Sequence, residues 1–170
     1  MHYSTKEYKC CELIWPGKKT AVQTVDNPTK KRLVPVKKDS VDWDYTCNLY
    51  IEGDNLDALK LLRQDYLNKV KVVYIDPPYN TGKNFIYNDA RRHSDWLNMM
   101  YPRLKLTRSL LADDGVIFIS IDDHEIANLR HICDEIFGSS NFVAQIIWER
   151  AYAPVSLKKH FSTNHDYILV

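Results

Sequence analysis

The sequence predicts an α/β domain built on a largely parallel sheet with helices on both faces. Short apolar runs rich in Val, Ile and Tyr alternate with longer segments of helical spacing. The runs "KVVYID" and "GVIFISID" are nearly continuous in apolar residues, as strands covered on both faces are. Acids stand at three strand ends: Asp54, Asp76, and Asp122 with Asp123. Ligands of such sheets bind beyond the carboxyl ends of the strands. Asp also caps helices, so the convergence gains meaning only with the residues around it.

Taken in order, residues 1–44 have little periodicity and contain Pro16, Pro28 and Pro35, which predicts an irregular arm before a domain over 45–170. Residues 1–40 hold nine Lys or Arg against four acids. Such an arm suits DNA phosphates, and a solvated arm without a partner fits the same residues. "CNLYIEGDN" reads as a strand over 47–52, and Asp54 or Asn55 caps a helix carrying Leu56, Leu59, Leu62 and Leu67. A strand over 71–76 follows, then a polar loop over 77–93. "SDWLNMMYPRLKLTRSLLAD" starts at a Ser/Asp cap and reads as a helix that Pro102 should kink or break. A strand over 115–122, a helix ending at Gly138, a strand over 142–149 and a last strand from "HDYILV" complete the alternation.

The chain has 170 residues, 45% of them hydrophobic, and a formal net charge of +1, which suits one soluble domain with a real core. It has neither the ~18 consecutive apolar residues of a membrane span nor a signal-peptide core, which predicts a cytoplasmic protein with no membrane partner. Cysteines stand at 10, 11, 47 and 133 without a C-x-x-C, so reduced thiols are expected. No metal site is expected. Asp122, Asp123, His124 and Glu125 look like a ligand cluster, but consecutive residues rarely converge on one ion. Capping of the helix that starts there explains them better. No G-x-G-x-x-G and no G-x-x-x-x-G-K-[ST] occurs, and the five glycines are widely scattered.

"IDPPY" asks for its own explanation. Asp76 is an acceptor fixed at a strand end. Pro77 and Pro78 lack N–H groups and leave carbonyls to accept hydrogen bonds. Tyr79 adds a flat face. The set suits a planar ring with an exocyclic amino group, and an adenine turned out of a nucleic-acid stack fits. Two acceptors on the N6 hydrogens would make that nitrogen more nucleophilic toward a sulfonium methyl, with rate from orientation and electrostatics. No cysteine follows a proline, so methylation at cytosine carbon-5 is unsupported.

"NLYIEGDNLDALKLL", "VVYIDPPYNTGKNFIYND", "HSDWLNMMYPRLKLTRSLLADDGVIFISIDDHE" and "NLRHICDEIFGSSNFVAQIIWE" resemble, together with "HDYILV", the modification (Mod) subunits of type III restriction–modification systems. These are β-class adenine-N6 DNA methyltransferases. The resemblance implies a Rossmann-like S-adenosylmethionine-dependent methyltransferase sheet. It implies that Asp76 and the Pro77 carbonyl bind the target amino group, that Tyr79 stacks on the base, and that Pro78 belongs to the same catalytic tetrapeptide. It places Asp54, Asp76, Pro77 and Asp122 against S-adenosyl-L-methionine. Asn80, Lys83, Arg91 and Arg92 become candidate DNA contacts, with Phe161 in a later block facing the target base. The implied partners are double-stranded DNA, a second copy of the chain, and a helicase-nuclease restriction subunit.

The family's F-x-G-x-G turn lies C-terminal to its target-recognition region, and neither is found here. The loop before "HSDW" is also shorter than the family's. The expectation is therefore the N-terminal part of a catalytic domain, with an incomplete sheet, an exposed sheet edge, and weak or no activity alone. Two alternatives stay open. One is a non-catalytic remnant that binds DNA or a partner subunit. The other is an amino-group methyltransferase on RNA or protein, against which Asp76 argues, since those families usually carry Asn before P-P-Y.

Overall fold

The computed structural model describes residues 12–83, 89–150 and 164–170. Its regular elements are helices α1 (Lys18–Asp26), α2 (Asn55–Tyr66), α3 (His93–Leu110) and α4 (Ile126–Phe137), and strands β1 (Val70–Ile75), β2 (Leu111–Ile121), β3 (Gln145–Glu149) and β4 (His165–Leu169). The α/β class holds. The sheet order is β1-β2-β4-β3, and only β1 and β2 are parallel. β4 runs antiparallel to both β2 and β3. The largely parallel sheet is thus corrected to a mixed one. Antiparallel neighbours exchange hydrogen bonds perpendicular to the strands, and β4 lies between β3 and β2 in this way.

The core lies on one face of the sheet. Ile119, Ile121 and Leu169 pack with Trp96, Leu97, Met100, Tyr101 and Leu104 of α3 and with Leu129, Ile132 and Ile136 of α4. Burying each such side chain contributes about 1.5–3 kcal/mol. On β1 the alternate side chains Val72 and Tyr74 are 59% and 61% exposed, so helices on both faces are not found among the described residues. β2 is longer than expected, and its pairing with β1 is irregular between Val70 and Val72. Gly115 sits there because a Cβ would come within 2.8 Å of the Val70 carbonyl oxygen.

Three further expectations are corrected. The segment before residue 45 is not wholly irregular: it contains α1, and Trp15 and Ala21 enter the core. Trp15 Nε1 donates to Asn98 Oδ1 of α3 at 2.8 Å. Gly17 passes so close to Asn98 that a Cβ would overlap its side chain. Residues 47–52 form no strand, and Leu49 and Tyr50 are 64% and 93% exposed. Their extended, apolar sequence has no neighbouring strand among the described residues to complete a ladder. Pro102 does not break its helix, since α3 runs through it and Tyr101 and Leu104 beside it are buried. Packing of the whole apolar stripe offsets one missing backbone hydrogen bond. No helix among the described residues is long and apolar enough to cross a membrane.

Candidate functional site

Because β1 and β2 are parallel neighbours, their carboxyl ends lie side by side. That register brings the Asp76–Tyr79 turn next to the Asp122–Glu125 turn. β4 runs the other way, so its first residues, His165 to Tyr167, arrive at the same end. Three chain segments far apart in sequence therefore meet at one sheet end.

Asp76 is exposed there, while Pro77, Pro78 and Tyr79 are half-buried. The Tyr79 hydroxyl is raised well above its ordinary range, first by burial and then by its hydrogen bond to Asp76. A smaller, opposing effect comes from Ser120. Ser120 Oγ also meets the Tyr74 hydroxyl, which ties the centre of β1 to β2 beneath the turn. Tyr79 packs against the core and so has a fixed place beside the acid.

The expectation that both proline carbonyls are free is corrected at Pro78. The buried Trp96 donates its Nε1 hydrogen to the Pro78 carbonyl at 2.7 Å. Trp96 is therefore a packing residue that also fixes the tetrapeptide.

The turn continues into a clasp. Asn80 is a buried non-glycine residue at φ 64°. Its N–H donates to Asp89 Oδ1 at 2.9 Å, and the Thr81 N–H and hydroxyl donate to Asp89 Oδ2. Burial alone would raise the Asp89 carboxyl. The hydrogen bonds from Thr81 and Asn80 outweigh it and hold the group below the usual carboxylate range. The Asn80 side chain donates to Glu125 Oε1 and accepts from the Arg91 N–H at 2.7 Å.

The remaining candidates are placed as follows. Asp54 caps α2, accepting from the N–H groups of Leu56 and Asp57 at 3.0 and 3.2 Å. Its other oxygen lies 3.8 Å from Arg103. Asp122 is buried and accepts from the backbone and ring of His124, at 3.0 and 2.8 Å. Asp123 accepts from the Tyr167 hydroxyl at 2.7 Å, and that hydroxyl also meets His165 Nε2. The capping read for these acids is thus corrected. The N-cap of α4 is Glu125, which makes no side-chain cap. Its side chain is fully buried and turned to Asn80, His93 and Asn128 instead.

Lys83 is exposed. Arg92 pairs with Asp95 of α3 at 2.9 Å and provides the N-cap without capping by its side chain, so the Ser/Asp start is corrected as well. Buried Arg91 Nε has no hydrogen-bond partner among the described residues. Phe161, Cys10 and Cys11 lie outside the described residues. Among those described, no group of three or more His, Cys, Asp or Glu is arranged to hold a metal ion.

The sequence reading missed Trp96, Asp89 and Glu125 as partners of the tetrapeptide. Spacing gives no sign of Asp89 or Glu125, since only the fold brings positions 80, 89 and 125 together.

A family profile described as DNA methylase matches residues 70–170. The chain is 37% identical over 191 residues to the type III restriction-modification enzyme EcoP15I Mod subunit of Escherichia coli, covering 93% of this chain and 29% of that protein. It is 39% identical over 196 residues to the EcoPI Mod subunit of Escherichia phage P1, covering 93% and 30%. The type II methyltransferase M.KpnI of Klebsiella pneumoniae is 39% identical over 132 residues, covering 72% and 31%. The chain spans about 30% of the length of these relatives.

Proposed function

The chain belongs to the DNA methylase family, and from that premise we propose that it supplies the adenine-binding part of a type III-like DNA adenine-N6 methyltransferase. The observation that carries this is the exposed Asp76 at the carboxyl end of β1, followed by two prolines of which one carbonyl is already engaged. Asp76 and the Pro77 carbonyl are then the acceptors left for the two N6 hydrogens. Both sit on a rigid turn, so the amino group is held without reorganisation. Tyr79 lies beside the acid and offers its ring to the base. The proton released from N6 after transfer passes to Asp76 or to solvent.

S-adenosylmethionine, when bound, supplies an electrophilic methyl group. The residues present fit it in part. Asp76 is exposed and Asp54 is half-exposed, so both can accept from ammonium or hydroxyl groups. Asp122 is turned to His124 and has less to offer.

Double-stranded DNA is the proposed substrate. Lys83 is exposed a few residues after the turn and is the candidate best placed for a phosphate contact, while the buried Arg91 Nε is not. Arg92 is committed to Asp95 and ranks below Lys83. A second copy of the chain, a helicase-nuclease restriction subunit and a cytoplasmic location complete the reading as what the resemblance to Mod subunits implies.

The test is methyl transfer from labelled S-adenosylmethionine to duplex DNA, with the product hydrolysed to nucleosides. N6-methyladenine at low turnover is expected, with Asp76→Ala lowering the rate by about 10²-fold or more. N4-methylcytosine as the product, or an unchanged rate in Asp76→Ala, overturns the reading.

A further inference from the structure

The Asp76–Tyr79 turn is held from behind by one buried acid. Glu125 is 0% exposed and opens α4. Its Oε1 accepts from Asn80 Nδ2 and from His93 Nδ1, the latter at 2.8 Å. Its Oε2 accepts from Asn128 Nδ2 at 2.7 Å. One carboxyl thus joins the residue after the tetrapeptide, the first residue of α3 and the first turn of α4.

Asn80 is the point at which this matters. The left-handed region is uncommon for residues other than glycine, although Asn enters it more readily than most, and such a conformation is held where the surroundings over-determine it. Here Asp89 takes the Asn80 N–H, Glu125 takes its Nδ2, and the Arg91 N–H reaches its Oδ1. The backbone of Asn80 sets the direction in which the chain leaves Tyr79. It therefore also sets how the tetrapeptide faces solvent. A buried acid is costly unless its oxygens are satisfied, and simple packing would favour a leucine at this position.

We propose that Glu125 is a positioning residue for the Asp76–Tyr79 turn, acting through Asn80, with no contact to substrate. The proposal rests on the methyltransferase reading for its kinetic consequence and on geometry alone for its structural one. The experiment separates the two.

The chain is prepared as wild type, Glu125→Gln, Glu125→Leu, Asn80→Gly and the double variant Glu125→Leu with Asn80→Gly. Hydrogen exchange is followed at the Asn80 and Thr81 amides and, as an internal reference, across β2 and α4. Methyl transfer to duplex DNA is measured in parallel. Glu125→Leu is expected to speed exchange at 80 and 81 by about tenfold or more while β2 and α4 keep their protection. It is also expected to lower kcat about tenfold with KM nearly unchanged.

The amide introduced by Glu125→Gln still offers a carbonyl oxygen to Asn80, and Asn128 can turn its own amide to meet the new donor. Glu125→Gln should therefore stay within about threefold of wild type in both readouts. Asn80→Gly should lower kcat as Glu125→Leu does, and the double variant should lose little more, because the two act in one chain of contacts. Exchange at 80 and 81 unchanged in Glu125→Leu overturns the clamp. So does protection lost evenly from loop, β2 and α4, or additive kcat losses in the double variant. N4-methylcytosine as the product, or an Asp76→Ala rate equal to wild type, would sink the methyltransferase reading while the exchange arm still decides the clamp.

Discussion

Asp89 shows how one residue's surroundings set its pH behaviour. Its carboxyl lies below the usual range because three donors from Asn80 and Thr81 outweigh burial. A depressed carboxylate stabilises the fold above its unfolded pKa of about 3.9 and loses that contribution as pH falls through the lower folded value. Protection of the Asn80 and Thr81 amides should thus be constant above about pH 5, weaken below about pH 4 and be lost at lower pH. Asp89→Asn, which keeps one acceptor oxygen, should cost about 1–3 kcal/mol in a denaturant melt at neutral pH. A melt matching wild type would contradict this. The cysteines make a second contrast. Burial, then the neighbouring Asp134, pushes the Cys133 thiol up to about 12, while Cys47 is exposed. Peptide mapping after iodoacetamide treatment of the native chain should find Cys47 alkylated and Cys133 intact. Modification of Cys133 at the rate of Cys47 would contradict its placement. Asp76 and Tyr79 could be picked out by their chemistry, whereas Asp89 looked like an ordinary loop residue and Glu125 like part of a helix cap.

At the scale of elements, α2 is where local sequence and structure agree most closely. Asp54 caps it through two backbone N–H groups, and the leucine spacing places the helix almost to the residue. Asp54→Ala should cost about 1 kcal/mol of stability, measured by chemical denaturation. A loss above about 3 kcal/mol would mean that the Arg103 contact, at 3.8 Å, matters more than the cap. α3 is the opposite case. Pro102 argued for a break, yet nine of its eighteen residues are buried and the helix is continuous. Propensity acts one residue at a time and yields to a long packed stripe. α1 was missed because its nine residues pack mainly through Ala21, with the larger anchor, Trp15, lying outside the helix. Residues 47–52 were misplaced for the reverse reason, since a strand exists only with a partner.

Among the described residues the sheet has one covered face and two open edges, β1 and the wholly exposed β3. β1 pairs with β2 on one side alone, and Val72 and Tyr74 stand exposed on it. Lys71, paired with Asp114, blunts that edge. Open edges and exposed apolar strand residues favour association, so sedimentation at rising concentration should show self-association, reduced by Val72→Lys. A monomer up to high concentration would argue that the edge is adequately protected. By itself the sequence determined the α/β class, the order of most elements and the acid–proline–proline–tyrosine turn, because apolar periodicity and turn chemistry are local properties. Only the tertiary structure decided the antiparallel insertion of β4, the engagement of the Pro78 carbonyl by Trp96, and the grip of Asp89 and Glu125 on Asn80. Those depend on which chain segments become neighbours, and that is fixed by long-range packing that no spacing in the sequence records.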